Sequence, residues 1–329
     1  MVTITDIAEA LGITPSTVSR ALAGSPRVKE DTRVAVMRKA EEMGYQRNIV
    51  ASNLRKRRSD IVGIVVPRIH RQFFANVISG AESILNEAGY NVMICQTMEK
   101  LDAEIKVLRT LRNHQVAGVL LSHAIEARDS RHLSALGNIP LVQYDRVFFD
   151  YPGAKVVGAN CEGAFKATKH LIESGYKKIG TIAGFMTSQA YVERLAGYRL
   201  AIESAGLSFD PSIVYENAIV RETGHEAALK ALEAGCDALY CCGDFCALGA
   251  VEALQEKGVR IPEDFGIVGT ANEFFTSLMT PALTSLGQNP YEMGRVAAKA
   301  FLEGRTDTTV IPMDLHIRSS SIRNKVCQK

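Results

Sequence analysis

A chain of 329 residues with 47% apolar composition is long enough to bury a substantial core and to form more than one domain. Its net charge of +2 excludes a uniformly basic or acidic protein, but the charge is uneven. Up to Asp60 eleven Lys and Arg stand against seven Asp and Glu, about +4, which leaves the remainder at about −2.

The first elements are two short helices. Thr3 precedes the apolar positions Ile4, Ile7, Ala8 and Leu11, and Asp6 three residues on completes a capping-box pattern. Gly12 is placed to end this helix in a left-handed conformation. Thr14 then caps a second helix, with Pro15 at its first position. Two short helices joined by a Gly-containing turn make a helix-turn-helix. Val18 faces inward, while Ser16, Thr17, Ser19 and Arg20 point largely outward. In such a motif the second helix presents its N-terminal residues to base edges, and flanking residues fix register on phosphates. Short hydroxyl side chains let the helix sit deep, and an arginine reaches guanine O6 and N7 bidentately. Thr3, Thr5, Ser16, Thr17, Ser19 and Arg20 are therefore the candidate DNA contacts of the head. An ordinary helical hairpin packed on a larger domain has the same spacing.

A third helix is expected over Val28 to Gly44, with Val34, Met37, Ala40 and Met43 at helical spacing and Val34, Met37 and Met43 assigned to the core. Next, Asn48 to Ser59 reads as a short helical pattern ending in the basic run Arg55-Lys-Arg-Arg58. A basic head on a slightly acidic body suits a protein that touches phosphate with one end.

Thr3-Ile-Thr-Asp-Ile-Ala8, Ser16-Thr-Val-Ser-Arg-Ala-Leu22, Glu42-Met-Gly-Tyr45 and the segment Asn48 to Arg55 resemble the signature of the LacI/GalR family of bacterial transcription regulators. The resemblance covers the whole chain. It implies that the segment around 48–58 is a hinge helix that folds on operator DNA and, paired in a dimer, levers the minor groove open with Leu54. An apolar side chain inserted at a base step kinks the duplex in this way. Asn48, Leu54 and Arg55 join the candidate DNA contacts on this basis, with a linker leucine packed on the body as the alternative for Leu54. Two positions depart from the family pattern: Arg47 precedes Asn48 where proline is usual, and Ala23 follows Ala-Leu where asparagine is usual.

In the body, apolar strand-like runs alternate with helical stretches. Strands are expected at 61–66, 91–95, 116–121 and 140–144, with helices from about Phe74 to Ala88 and Ala103 to Asn113. After Asn160 the pattern restarts, with helices at 162–174, 189–205, 223–234 and 245–257 and strands at 178–183, 213–215, 237–241 and 265–269. This alternation argues for parallel sheets covered on both faces. The resemblance implies a periplasmic-binding-protein-like body whose chain crosses back between lobes. The fold class expected is a small all-α helix-turn-helix head plus an α/β body of two parallel-sheet lobes. Its domains are 1–46 (DNA-binding head), 47–59 (hinge), 60–160 with about 290–320 (first lobe), and 161–289 with about 321–329 (second lobe).

Effectors of such bodies bind at the carboxyl ends of the strands, in the cleft. Tyr144-Asp145-Arg146 follows a strand, and a carboxylate beside a guanidinium suits sugar hydroxyls, or forms a structural ion pair. Asn160 lies at the crossover. Arg194 sits in a sequence resembling the family's Arg-Leu-x-Gly-Tyr/Phe pattern, where the arginine reaches the ligand. Either Arg146 or Arg194 could instead bridge the lobes. Asp244 opens a helix and doubles as its cap. Phe73 and Phe74 occupy the place where family members present aromatics to the ligand, and one of the two is expected in the core. Sugar-responsive members carry an aspartate after the 265–269 strand; here Thr270-Ala-Asn-Glu273 follows, with Asn272 or Glu273 as substitutes. Purine-responsive members carry a second arginine where this chain has Ser188, which favours a sugar or sugar phosphate. Arg68, His70 and Arg71 form a basic cluster that suits a phosphorylated sugar or a solvated loop equally in composition.

The expectation is a ligand-responsive, sequence-specific repressor that binds double-stranded operator DNA as a homodimer and carries no cofactor besides its effector. A ligand-binding protein without a DNA role and a purine-dependent regulator are the alternatives. No phosphate-binding glycine loop, nucleophile elbow or zinc-protease motif is present, so no enzyme is expected. The cysteines at 241, 242 and 246 lack an accompanying histidine and are expected as structural free thiols. Asp6 and Glu9 interrupt any apolar leader, no run approaches the roughly 18 apolar residues of a membrane span, and an odd number of cysteines suits a reducing compartment. A cytoplasmic location with no membrane partner is the expectation.

Overall fold

The computed structural model describes residues 2–45 and 59–323. They form two compact units divided between Arg58 and Ser59. The expected hinge, with Asn48, Leu54 and Arg55, lies outside the described residues except for Ser59.

In the first unit α1 (Ile4–Leu11) begins with the capping box: the Asp6 amide donates to Thr3 Oγ1 at 3.3 Å, and the Thr3 amide donates to Asp6 Oδ2 at 2.8 Å. Gly12, at φ +64°, ends it. Thr14 caps α2 (Pro15–Leu22) by accepting the Thr17 amide at 3.3 Å. With α3 (Glu30–Glu42) these helices enclose Ile7, Ala8, Val18, Ala21, Val36 and Ala40. The core stripe of α3 is therefore Val36, Ala40 and the half-buried Met43, at helical steps of four and three. Val34 and Met37, assigned to the core from spacing, are 57% and 55% exposed. Three apolar residues within four positions cannot share one face, and Val36 is the one enclosed with Ile7, Ala8, Val18 and Ala21.

The second unit contains two six-stranded sheets. The first has order β11-β5-β4-β3-β1-β2, entirely parallel, from β1 (Ile61–Val66), β2 (Asn91–Gln96), β3 (Gly118–Leu121), β4 (Leu141–Tyr144), β5 (Lys155–Gly158) and β11 (Thr308–Ile311). One face is covered by α4 (Gln72–Glu87) and α10 (Pro290–Leu302), the other by α5 (Leu101–Asn113) and the 3-10 segment Ser130–Leu136.

The second sheet has order β12-β10-β9-β8-β6-β7, from β6 (Ile179–Ile182), β7 (Val214–Tyr215), β8 (Ala238–Cys241), β9 (Gly266–Ala271), β10 (Thr284–Gly287) and β12 (Asp314–His316). Helices α6 (Asn160–Glu173) and α7 (Gln189–Ser204) cover one face, and α8 (Arg221–Glu233) and α9 (Asp244–Glu256) the other. This sheet is parallel except at its edge, where β12 runs antiparallel to β10 with Ser285 opposite His316.

The chain crosses between lobes after β5, after β10 and between β11 and β12. The last crossing lies at 312–313, not near 320 as expected, because Asp314–His316 already pairs in the second sheet. The return of α10 onto α4 depends on two glycines in close apposition. A Cβ on Gly294 would lie 2.0 Å from the Val77 carbonyl oxygen, and one on Gly80 would lie 2.0 Å from that of Tyr291. Only glycine lets the two backbones approach this closely.

Candidate functional site

On the head, Thr3, Thr5, Ser16 and Arg20 are exposed, and Thr17 and Ser19 are half-buried. Thr17 Oγ1 lies 2.9 Å from Thr14 Oγ1, so this hydroxyl helps to close the cap as well as facing outward. Arg20 stands in the last turn of α2, where a cation is favoured by the helix dipole.

In the body a cavity of about 390 Å³ opens between the lobes. Its walls are the segments leaving the carboxyl ends of strands in both sheets: Arg68 after β1, Asp145 and Arg146 after β4, Phe185 after β6, Cys242 to Phe245 after β8, and Glu273 after β9. The volume is that of a site for one small molecule.

In the first lobe Arg146 Nη1 donates to Glu99 Oε2 at 2.7 Å and to the His123 carbonyl at 3.2 Å, while its Nε lies 3.9 Å from Asp145 Oδ2. Asp145, at φ +60°, accepts from Ser122 Oγ at 3.3 Å. Burial raises the Asp145 carboxyl above its ordinary value, against the pull of Arg146 and Arg194. Glu99 also accepts the Ile125 amide at 2.9 Å. Sequence reading missed Glu99 because it lies in the turn after β2, at φ +65°, within no recognisable motif.

In the second lobe Arg194 is 4% exposed; its Nε donates to Asn160 Oδ1 at 2.9 Å and its Nη1 to the Cys242 carbonyl at 3.1 Å. Asn160 is not among the cavity-lining residues: it holds Arg194, and its Nδ2 donates to the Gly158 carbonyl at 3.1 Å. Neither Arg146 nor Arg194 hydrogen-bonds across the lobes, although the charge of Arg194 acts on Asp145 across the cleft. Arg71 does bridge them. Its guanidinium lies 3.9 Å from the ring centroid of Phe245, and beside it the Phe274 amide donates to Gln72 Oε1 at 2.8 Å. Tyr191 also lines the cavity, one helical turn before Arg194 on α7. The i, i+3 relation to Arg194 was the signal available for it.

Asp244 is 1% exposed at the first position of α9, whose N-cap is Gly243, so the expected role of cap does not hold. Its carboxylate ties the helix to neighbouring strand ends instead, accepting from Ser285 Oγ at 2.6 Å and from the Glu273 amide at 2.8 Å. Burial outweighs these bonds and pushes its pKa up to about 6. Burial and Asp244 together raise Glu273. Glu273 lines the cavity, whereas Asn272 does not: its Oδ1 accepts from Arg318 Nη2 at 2.8 Å. Ala271 and Asn272, consecutive in the chain, both have positive φ where the backbone turns out of β9. Phe73 and Phe74 both line the cavity, and Phe74 is also part of the first lobe's core. Of the basic cluster, Arg68 and Arg71 line the cavity and His70 does not. Cys241, Cys242 and Cys246 are buried and unbridged, and burial pushes the Cys242 thiol up to about 12.

Known proteins match both units. Residues 3–48 match the family described as bacterial regulatory proteins, lacI family, and residues 168–321 match the periplasmic binding protein-like domain. The HTH-type transcriptional repressor PurR of Haemophilus influenzae (strain PittEE) is 33% identical over 307 residues, covering 92% of this chain and 91% of the relative. The chain belongs to the LacI family of bacterial regulatory proteins. It is, in consequence, a DNA-binding transcription regulator. Among solved LacI-family structures, the regulator CelR in complex with cellobiose is similar at 29% identity and a TM-score of 0.74, covering 97% of this chain and 100% of that one. The lac repressor dimer bound to operator and the anti-inducer ONPF shares the fold at a TM-score of 0.86 and 23% identity, covering 98% of this chain and 99% of that one. Among the described residues no helix is long and apolar enough to cross a membrane.

Proposed function

We propose that this LacI-family chain is a repressor whose affinity for operator DNA is set by a sugar or sugar phosphate held between the two lobes. The observation that carries the reading is the interlobe cavity itself, where guanidinium groups, carboxylates and aromatic rings converge at the carboxyl ends of both sheets. Arg194 offers an Nη2 with no protein hydrogen bond among the described residues, and Arg71 has cation–π contact but no hydrogen-bonded acceptor. Both are free to donate to hydroxyl or phosphate oxygens. Asp145 and Glu273 supply acceptors for hydroxyl donors, and Phe73 and Tyr191 supply faces for the apolar side of a sugar ring. The CelR complex with cellobiose supports a sugar ligand for a related cavity.

Two chains would place their second helices on the half-sites of a pseudo-palindrome, with Thr3, Thr5, Ser16, Thr17, Ser19 and Arg20 at the duplex and Asn48, Leu54 and Arg55 at the hinge. A segment of about ten residues is too short to be stably helical alone, so lobe orientation biases its helix–coil balance. The effector shifts that balance only by its difference in affinity between the two lobe arrangements. A purine is the second reading, supported by the rings of Phe73, Tyr191 and Phe245, which suit a flat base. Ser188, buried where purine-responsive members carry arginine, weighs against it.

A thermal-shift screen of sugars, sugar phosphates and purines tests the reading. A sugar-class ligand is expected to raise Tm in the wild-type chain and to have no effect on Arg194→Ala. A shift with purines alone overturns the sugar assignment, and a shift retained in Arg194→Ala moves the site elsewhere.

A further inference from the structure

One buried polar cluster in the first lobe is not used by the effector cavity. Glu104 on α5, His123 just beyond β3 and His132 in the 3-10 segment have side chains 0%, 3% and 6% exposed. His123 Nδ1 lies 2.9 Å, and His132 Nε2 2.6 Å, from the same oxygen, Glu104 Oε1. The other carboxylate oxygen accepts the Ala124 amide at 2.6 Å.

The far nitrogen of each ring fixes its tautomer. His123 Nε2 lies 2.8 Å from Gln143 Oε1. The orientation of that amide is set by the Phe148 amide, which donates to the same oxygen at 2.7 Å, and by Gln143 Nε2, which donates to the Phe148 carbonyl at 3.3 Å. His132 Nδ1 lies 2.9 Å from the Asp129 carbonyl oxygen. Both far nitrogens face acceptors, so both carry the proton. In neutral rings the near nitrogens then present lone pairs, and two imidazole lone pairs converge on one carboxylate oxygen. Such a convergence is repulsive without positive charge, supplied either by further protons or by one metal ion.

We propose that Glu104, His123 and His132 bind one zinc-class divalent cation inside the first lobe. Two imidazoles and a carboxylate are a donor set suited to zinc. Hydrogen bonds from the far ring nitrogens to an amide oxygen and a backbone carbonyl are the outer partners that orient metal-binding histidines. The three donor atoms lie within 4.8 Å of one another. Metal–ligand bonds of about 2.0–2.1 Å in a tetrahedron put donor atoms about 3.3 Å apart, so each ring draws back from Oε1 by less than about 1 Å.

The site lies directly behind the effector cavity. The carbonyl of His123 accepts from Arg146, and Ile125, two residues on, lines the cavity while its amide donates to Glu99. An ion here fixes the segment 122–125 and with it the guanidinium of Arg146. Occupancy therefore tunes effector affinity as a second input to the same lobe.

The test titrates the full chain, freed of metal by chelation, with Co²⁺ at pH 8, because protons compete with a metal for its ligand atoms as pH falls. One equivalent is expected to bind with a spectrum of nitrogen and oxygen donors and no thiolate-to-cobalt charge transfer. His132→Gln and Glu104→Gln are expected to weaken uptake at least about 100-fold. His225→Gln, which alters a half-exposed hydrogen bond to Glu256 on the second lobe, is expected to leave uptake unchanged. Circular dichroism reports whether each variant folds. If both cluster variants unfold, the wild-type spectrum and stoichiometry decide alone. Absence of saturable uptake, thiolate coordination, or unchanged affinity in a folded His132→Gln chain overturns the proposal.

Discussion

Replacing Asp244 by asparagine should make the body more stable at neutral pH. The carboxyl is 1% exposed, and burial pushes its pKa from 3.8 to about 6 despite the bonds from Ser285 and the Glu273 amide. Between those two values the folded chain binds more protons at this site than the unfolded chain. Stability therefore falls as pH rises from about 4 to about 6, and the full cost persists above that range. At about 1.36 kcal/mol per pH unit the cost of ionising Asp244 is about 3 kcal/mol. Asparagine keeps one carbonyl acceptor and gives up the other, losing about 1–1.5 kcal/mol of hydrogen bonding. The net effect of Asp244→Asn is then a loss near pH 4, passes through zero at about pH 5, and becomes a gain of about 2 kcal/mol at pH 7. For a unit of this size that raises Tm by about 3–8 °C. Urea and thermal unfolding of the body from pH 4 to pH 8 measure it directly. A variant less stable than wild type at pH 7, or one that keeps the wild-type slope between pH 4 and pH 6, would refute the reasoning.

Further outcomes follow from other elements. Arg20→Ala should weaken binding to a specific duplex by about 1–3 kcal/mol in a gel-shift titration while leaving the fold intact; undiminished discrimination removes Arg20 from base readout. Gly294→Ala drives a Cβ toward the Val77 carbonyl at 2.0 Å, in backbone that has no flexible end to move. A loss of about 1–3 kcal/mol or more in body stability is expected by denaturant unfolding, with head helicity unchanged. A wild-type midpoint would show that α4 and α10 separate at little cost.

The head was legible because its signals are local. Thr3, Asp6, Gly12, Thr14 and Pro15 each perform a capping function within three or four residues of chain. The phase of α3 was not legible, because the choice of Val36 over Val34 and Met37 is made by α1 and α2. Long apolar runs such as Ile61–Val66 gave their strands directly. Lys155–Gly158, Thr284–Gly287 and Asp314–His316 did not, being short and defined by the partners they pair with. The same distinction separates the site residues. Asp145, Arg146, Arg194 and Asp244 follow strands or sit in a family-like pattern, and all four line the cavity. Arg71 and Phe245 meet only because the two lobes face each other, and Glu99 reaches Arg146 across 47 residues of chain within the first lobe, juxtapositions that no local spacing records. Asn160 shows the converse: a legible position whose side chain serves Arg194 instead of the cavity.

The central claim is that a small molecule in the body controls the grip of the head on DNA. The direct measurement is the affinity of the full chain for a duplex it has selected from a random pool, followed by fluorescence anisotropy over a range of salt, with and without the ligand found by thermal shift. The account expects log K to fall steeply with log salt and the ligand to change affinity by at least about fivefold at fixed salt. Absence of duplex binding, or a duplex affinity indifferent to a ligand that demonstrably binds the body, would contradict it.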